Sequence, residues 1–392
     1  MKYKTYKIKD LINEISMGPF GSNIKVECFV DSGIPVLNGS NLTGFALNDK
    51  SFRYVTPEKA DSLGKANAYR GDIVITHRGT LGQIVFIPEN SKHSRYVISQ
   101  SQFRVKCNEK ILPEYLVYYF HTNAGQHKLL SNASQVGVPA LARASTTFQT
   151  LEIDIPDVTE QRKIVDFLET IREKIELNNA INNNLEQQAL AIYQQMFVDN
   201  PSPEWKEGTL SDIADITMGQ SPSGSSYNEE SNGTIFFQGR AEFGFRFPTV
   251  RLFTTEPKRM ACANDTLMSV RAPVGDLNVA HTDCCIGRGL AAIHSKTNHQ
   301  SFVLYTMFSL KKQLDVFNGE GTVFGSINRN SLNEMPILIP SDEKLDEFEG
   351  IVAPMDTAIR NNYDETCRLD KIRNSLLPKL MSGELDVSDI DL

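Results

Sequence analysis

No apolar run in the 392-residue sequence approaches the ~20 residues that a membrane-spanning helix needs. Cysteine is sparse. The six (Cys28, Cys107, Cys262, Cys284, Cys285, Cys367) form no C-x-x-C pair, and the adjacent Cys284 and Cys285 could not easily grip one zinc. Buried, reduced thiols are expected, which suits a cytoplasmic protein. The start, Met1-Lys2-Tyr3-Lys4, is basic but leads into a polar strand-like segment, so a signal peptide is not expected. The seven histidines (His77, His93, His121, His127, His281, His294, His299) never pair at metal-ligand spacing. There is no H-E-x-x-H, no G-x-x-x-x-G-K-[ST] and no Asn-Pro-Pro-aromatic segment of the kind amino-methyltransferases carry. Gly287-Arg288-Gly289 lacks the third glycine of a dinucleotide-binding turn. No catalytic constellation is recognisable, and neither metal nor cofactor is expected in this chain.

Net positive charge is also lacking: the total is −8. Its distribution matters more than its sum. Residues 1–157 carry 18 Lys and Arg against 14 Asp and Glu, and residues 201–340 carry 12 against 14. The deficit lies in 158–200, with 4 against 7, and in 341–392, with 6 against 13. A nucleic-acid partner requires a local basic face, not a basic total, and this pattern permits one.

What is present is a repeat. Gly71-Asp72-Ile73-Val74-Ile75-Thr76-His77-Arg78, followed by Gly82, matches Asn264-Asp265-Thr266-Leu267-Met268-Ser269-Val270-Arg271, followed by Gly275. Upstream, Asp10-Leu11-Ile12 leading to Met17-Gly18 matches Asp212-Ile213 leading to Met218-Gly219, and Gly33-Ile34-Pro35-Val36 matches Gly233-Thr234-Ile235-Phe236. Downstream, Ile153-Asp154-Ile155-Pro156 matches Ile337-Leu338-Ile339-Pro340. Matches that keep their order while their spacing drifts are the mark of a duplicated module with loop insertions. Short β-branched or aromatic runs predict strands at 72–76, 82–87, 101–106, 234–238 and 266–270. One helix per module is predicted, over 113–121 continuing towards 130 and over 301–317. Each module is thus mixed α+β with a largely antiparallel or irregular sheet.

Both modules end at Ile-Pro and run into a long helix. Thr159 is the expected cap of the first and Ser341 of the second. Ile164, Leu168, Ile171, Ile175, Asn178, Asn182, Leu185, Ala189, Ile192 and Met196 alternate at spacings of four and three. So do Leu345, Phe348, Val352, Met355, Ile359, Asn362, Thr366, Leu369, Ile372 and Leu376. Antiparallel packing would set Asn178 and Asn182 opposite Asn362 and Thr366, and a buried polar layer penalises slips of register. Pro354 and Pro378 should each bend the second helix or mark a boundary. The expected organisation is module 1–157, spacer helix 158–200, module 201–340, and spacer helix with tail 341–392, in a pseudo-two-fold tandem repeat.

Within the modules, polar and basic side chains gather on glycine-flanked turns. Candidate nucleic-acid contacts are Thr76, His77, Arg78, Gln83, Arg95, Gln100 and Arg143 in the first, and Gln238, Arg240, Arg271, Arg288, Asn328 and Arg329 in the second. Arg, Asn and Gln make bidentate contacts to base edges, while Ser, Thr and backbone amides hold phosphates.

The alternation of two such modules with two helices, the Glu160-Gln161 helix start and the close Leu380-Met381-Ser382-Gly383-Glu384-Leu385 resemble the specificity (S) subunit of type I DNA restriction–modification systems over essentially the whole chain. The second helix departs from the pattern at Ser341-Asp342-Glu343-Lys344, which lacks the Glu-Gln pair. The resemblance implies two target-recognition domains, each reading half of a bipartite double-stranded DNA site, with the helices setting the half-site separation. It also implies docking of two methyltransferase subunits carrying S-adenosylmethionine, joined by restriction and translocase subunits that use ATP and Mg²⁺. A protein-binding scaffold without enzymatic activity, or an enzyme with an unrecognised site in the module clefts, remain the rival readings of the residues themselves.

Overall fold

The structure, a computed structural model, describes residues 2–134, 137–319 and 325–390, the side chains of Ser22 and Asp389 excepted. The chain divides into two units: Met1–Leu177 with Glu365–Leu392, and Asn178–Asp364.

In the first unit a four-stranded antiparallel sheet has the order Ile12–Met17, Gln102–Cys107, Ile73–Thr76, Ile84–Phe86. A five-stranded sheet has the order Phe29–Val30, Arg53–Val55, Ile34–Val36, Arg95–Val97, Asn67–Tyr69, with one parallel pair where Val36 meets Val97. The second unit repeats both orders. Its four-stranded sheet runs Ala214–Met218, Leu290–Ser295, Thr266–Ser269, Leu277–Val279. Its five-stranded sheet runs Tyr227–Asn228, Leu252–Thr254, Thr234–Phe237, Cys284–Ile286, Met260–Ala261, again with one parallel pair, at Phe236 and Cys285. The Ile-Pro segments are strands: Glu152–Ile155 pairs with Lys4–Lys7, and Pro336–Ile339 pairs with Lys206–Thr209. The repeated sequence matches are therefore repeated pairings.

The predicted helix at 113–130 is two helices, Pro113–His121 and Asn123–Leu129. Thr122 breaks it: its Oγ1 accepts from the Gly125 amide (3.0 Å), and a Cβ on Gly125 would lie 2.1 Å from the Tyr119 carbonyl oxygen. The chain turns where only glycine fits. The predicted helix at 301–317 likewise divides into Gln300–Ser309, Lys311–Leu314 and a 3₁₀ turn over Asp315–Asn318.

The long helices span Val158–Tyr193 and Asp342–Ser382. Asp157, not Thr159, caps the first, its Oδ1 accepting from the Thr159 and Glu160 amides at 3.0 and 3.1 Å. Gln161 is fully buried. It accepts from the Leu112 amide (2.9 Å) and donates to the Lys110 and Pro156 carbonyls (both 3.0 Å), tying the helix start to the segment that opens Pro113–His121. At the same distance beyond Pro340 stands Leu345, buried and apolar, which accounts for the absent Glu-Gln pair in the second helix. Neither proline forms a boundary: Asp342–Ser382 is continuous through Pro354 and Pro378. Each forfeits a helical hydrogen bond, a cost of about 3 kcal/mol, which burial of Val352, Ile359, Leu377 and Leu380 along the same helix offsets.

Within each unit the helices pack antiparallel. In the first, Ile164, Leu168 and Ile171 share a core with Leu377, Leu380 and Met381, and Lys174 pairs with Glu365 at 3.1 Å. In the second, Leu185 and Ala189 share a core with Phe348, Val352 and Ile359. Asn362 Nδ2 donates to Asn182 Oδ1 (2.9 Å), Asn182 Nδ2 donates to the Ile359 carbonyl (3.3 Å), and Asn178 Nδ2 reaches the Asn362 carbonyl (3.5 Å). Thr366 belongs to the stretch of the helix that lies in the first unit. The apolar seam drifts at its end: Tyr193 and Phe197, four and eight residues beyond buried Ala189, are buried rather than Ile192 and Met196, and the helix then widens into a π-type turn over Gln194–Asp199.

Asn182→Leu should lower the thermal midpoint of the full chain, since it strands the Asn362 amide at a cost of about 1–3 kcal/mol. Asn182→Leu with Asn362→Leu should recover stability or exceed it. A single substitution that stabilises would show that the pair carries no register information.

Candidate nucleic-acid interface

In the first module the candidates lie on loops that grip one another. The Thr76 amide donates to the Gln83 carbonyl (3.0 Å), closing a hairpin loop in which Gly79 and Gly82 hold φ of 90° and 87°, values that favour glycine. Thr76 is buried, and its hydroxyl donates to Gln83 Oε1 (3.1 Å). Gln83 Nε2 in turn donates to the Gly39 carbonyl (3.0 Å), joining the hairpin to the turn Gly39–Asn41, which Asn38 caps. The His77 amide donates to the Ser101 carbonyl (2.8 Å) and its Nε2–H to the Gln100 carbonyl (3.2 Å). Burial pushes the His77 pKa below the usual histidine value, so the neutral ring serves as a brace. Arg78 bridges to Ala140, the Gly79 amide donates to Pro139 (2.9 Å), and Arg143, at φ 48°, opens the helix Ala144–Thr150. Thr76, His77 and Gln83 thus build the platform, and Arg78, Gln100 and Arg143 are the exposed heads on it.

Arg95 is not among them. It begins the strand whose far end leads to Gln100, and it is bound to Asn67 Oδ1 (2.8 Å) and Asp61 (2.6 Å).

The second module repeats the construction. The Ser269 amide donates to the Asp276 carbonyl (2.9 Å), closing the equivalent hairpin, and Gly275 holds φ 83° where Gly82 does in the first. Asp276 takes the place of Gln83 and pairs with Arg240, on the turn Arg240–Glu242. Arg271 bridges to Ser326, as Arg78 does to Ala140. The Val270 amide donates to Gly289 (2.9 Å), and a Cβ on Gly287 or Gly289 would lie within 3.0 Å of the Gln238 carbonyl oxygen. Gln238, Arg240, Arg271 and Arg288 therefore meet on one loop cluster, all exposed. Asn328 caps the helix Arg329–Asn333, accepting from the Ser331 amide (2.9 Å), with Arg329 exposed beside it.

The acid of the repeated segment is structural in both modules. Asp72 accepts from the Tyr69 amide (2.9 Å) and pairs with buried Arg104 (3.2 Å); burial raises its pKa against the pull of that guanidinium. Asp265 accepts from the Cys262 amide (2.8 Å) and pairs with His294 (2.6 Å). Among the described residues no group of His, Cys, Asp and Glu could hold a metal ion, and no helix is long and apolar enough to cross a membrane.

A search for polar residues passes over Phe20. It is 83% exposed on the loop after Gly18, where a Cβ would lie 1.9 Å from the Ser99 carbonyl oxygen; the loop rests on the turn that bears Gln100. Gly219 approaches the Gly287 carbonyl in the same way, a Cβ there lying 2.2 Å away. The repeated Met-Gly marks this contact and was the available signal.

The family described as "Type I restriction modification DNA specificity domain" matches residues 2–187 and 203–363. The MjaX specificity subunit of Methanocaldococcus jannaschii is 26% identical over 98% of this chain and 94% of its own length. The type I restriction enzyme HindI specificity subunit of Haemophilus influenzae is 23% identical over 88% and 93%. The crystal structure of the type I restriction–modification system S subunit from M. genitalium superposes with a TM-score of 0.62 at 16% identity, covering 97% of this chain and 96% of that one, a likeness of fold. Doubled modules, paired long helices and the family match over both copies agree: the chain belongs to the type I restriction–modification DNA specificity family.

Proposed function

We propose that each module reads one half of a bipartite double-stranded DNA site through its hairpin cluster, Thr76–Gln83 in the first and Ser269–Asp276 in the second. The observation that carries this reading is the recurrence, in both modules, of an exposed arginine (Arg78, Arg271) on a hairpin braced by a second loop. A guanidinium held on a braced loop is suited to the paired acceptors of guanine, and pre-ordering lowers the entropy lost on binding. Arg143, Arg288 and Arg329 add positive charge for phosphates, with Gln100 and Gln238 as further base-edge contacts. Arg95, bound internally, supports the sheet. The chain is read as non-catalytic and cytoplasmic. Two methyltransferase subunits with S-adenosylmethionine would dock on the helices, and restriction subunits using ATP and Mg²⁺ would complete the assembly.

Methylation mapping in cells carrying the complete system would give the site. In gel shifts with the methyltransferase present, Arg78→Ala should weaken the site by about 1–3 kcal/mol and relax base preference in one half only, and Arg271→Ala in the other. A single substitution that relaxed both halves equally would overturn the assignment. Affinity should also fall steeply with salt, by a factor on the order of 10³ or more between 50 and 200 mM if six or more phosphates are neutralised. Salt-insensitive binding would favour the protein-binding scaffold.

A further inference from the structure

The repeat places one contact of module on helix at equivalent positions in the two units, and the helix residue at the matching place carries opposite charge, Arg172 in the first and Asp356 in the second. The equivalence rests on hydrogen bonds. Phe86 donates its amide to the Phe45 carbonyl (3.0 Å), and Val279, its counterpart, donates to the Arg246 carbonyl (2.8 Å). Phe45 and Arg246 thus hold the same place. Tyr118 and Tyr305 are each the sixth residue of the module helix. Arg172 and Asp356 lie at one distance beyond Pro156 and Pro340.

In the first unit the module contributes the Phe45 ring, 4.7 Å from that of Tyr118, and the long helices contribute Arg373 and the Arg172–Glu169 pair. Arg373 lies 4.9 Å over the Phe45 ring, and Arg172 holds Glu169 (2.6 Å), which accepts from the Tyr118 hydroxyl (2.6 Å). In the second unit the module contributes the cation and the helices contribute anions. Arg246, 4% exposed, pairs with Glu186 of the first long helix (3.1 Å) and Asp356 of the second (3.3 Å). It also donates to the Tyr305 hydroxyl (3.1 Å), which donates to Asp356 (3.0 Å). The neighbouring cation, Arg360, is bound to the His281 carbonyl (2.7 Å) and Asn264. Glu349 accepts from the Ser301 amide (3.1 Å). Burial raises the pKa of both Glu186 and Asp356, so a neutral occupant at position 246 would leave two carboxylates in a site that disfavours their charge.

We infer that this inverted contact keys each module to its own place: Arg246 admits the second module to the Glu186–Asp356 site, and Phe45 admits the first to the Arg373 site, so module order along the chain is fixed. A first module placed in the second position would set Phe45 against two buried carboxylates. A second module placed in the first would set Arg246 beside Arg172 and Arg373, whose carboxylate partners Glu169, Glu176 and Asp370 are already engaged. Removing one partner of a buried pair is strongly destabilising, whereas exchanging the whole pair for another matched set is tolerated.

The test uses the full chain and reads thermal melting first, which does not depend on what the modules bind. Arg246→Phe should lower the melting midpoint. Adding Asp356→Arg, which supplies at position 356 the cation that Arg172 supplies at the matching place in the first unit and offers Glu186 a new partner, should restore at least half of the loss. Destabilisations that merely add would overturn the keying. In the assembled methyltransferase, a chain with residues 1–157 and 201–340 exchanged should fail to methylate. The same exchange carrying Phe45→Arg and Arg246→Phe should methylate a site with its halves reversed. An unmatched exchange that methylates as well as the matched one also overturns the inference. If neither exchanged chain folds, the melting of Arg246→Phe with and without Asp356→Arg decides.

Discussion

In the helix Pro113–His121 every residue from Tyr115 to Phe120 is buried, and in Gln300–Ser309 so is every residue from Ser301 to Met307. A helix apolar on all sides cannot be covered by one sheet. Its other faces are closed by the long helices: Ile164, Leu168 and Leu380 stand in one core with Tyr115 and Phe120, and Tyr193, Phe348 and Val352 stand in one core with Phe302 and Tyr305. Each such side chain is worth about 1.5–3 kcal/mol when buried. The rest follows from that dependence. Ile73 and Ile75 share the first core, so the strand that carries the hairpin Thr76–Gln83 is seated by the same packing that seats the helices. The second hairpin is seated likewise through Met268 and Val270. The placement of each hairpin is therefore set by a core that the module shares with helix segments distant in sequence.

Apolar packing tolerates sliding; buried polar groups do not. Gln161 has its side-chain carbonyl and amide engaged where the first helix leaves its module, the Asn182–Asn362 pair fixes the helices within the second unit, and Arg246 joins a module loop to both helices. Each leaves a desolvated group without its partner if the register changes, a penalty of about 1–3 kcal/mol for a neutral group and more for a charge. Specific placement therefore comes from a few polar contacts set into a large apolar surface that supplies most of the cohesion. The hairpin loops follow the same division. Thr76, His77 and Gln83 are consumed in bracing, and the side chains left exposed are those free to meet a ligand.

The doubling of the module, the strand at Ile73–Thr76 with its counterpart Thr266–Ser269, the two long helices and the family are all legible in the sequence alone. The first hairpin is legible because it closes on itself within eight residues, so glycine placement and spacing suffice, whereas the return strand Leu277–Val279 of the second is not among the predicted strands. The helix seam is legible because its period is local, until the buried face shifts to Tyr193 at the end of the first helix. What the sequence leaves open is which polar side chains meet. Arg95 looks like Arg78 in composition and setting, yet Asp61 and Asn67 bind it from another part of the chain. Thr159 resembles a cap, but Asp157 reaches the free amides first. Arg246 gives no local sign of its role, since Glu186 and Asp356 arrive from two different helices. Periodicity and turn chemistry act between near neighbours along the chain, so sequence determines them. Burial, desolvation and charge pairing depend on groups that only folding brings within a few ångströms, and those the tertiary structure alone decides.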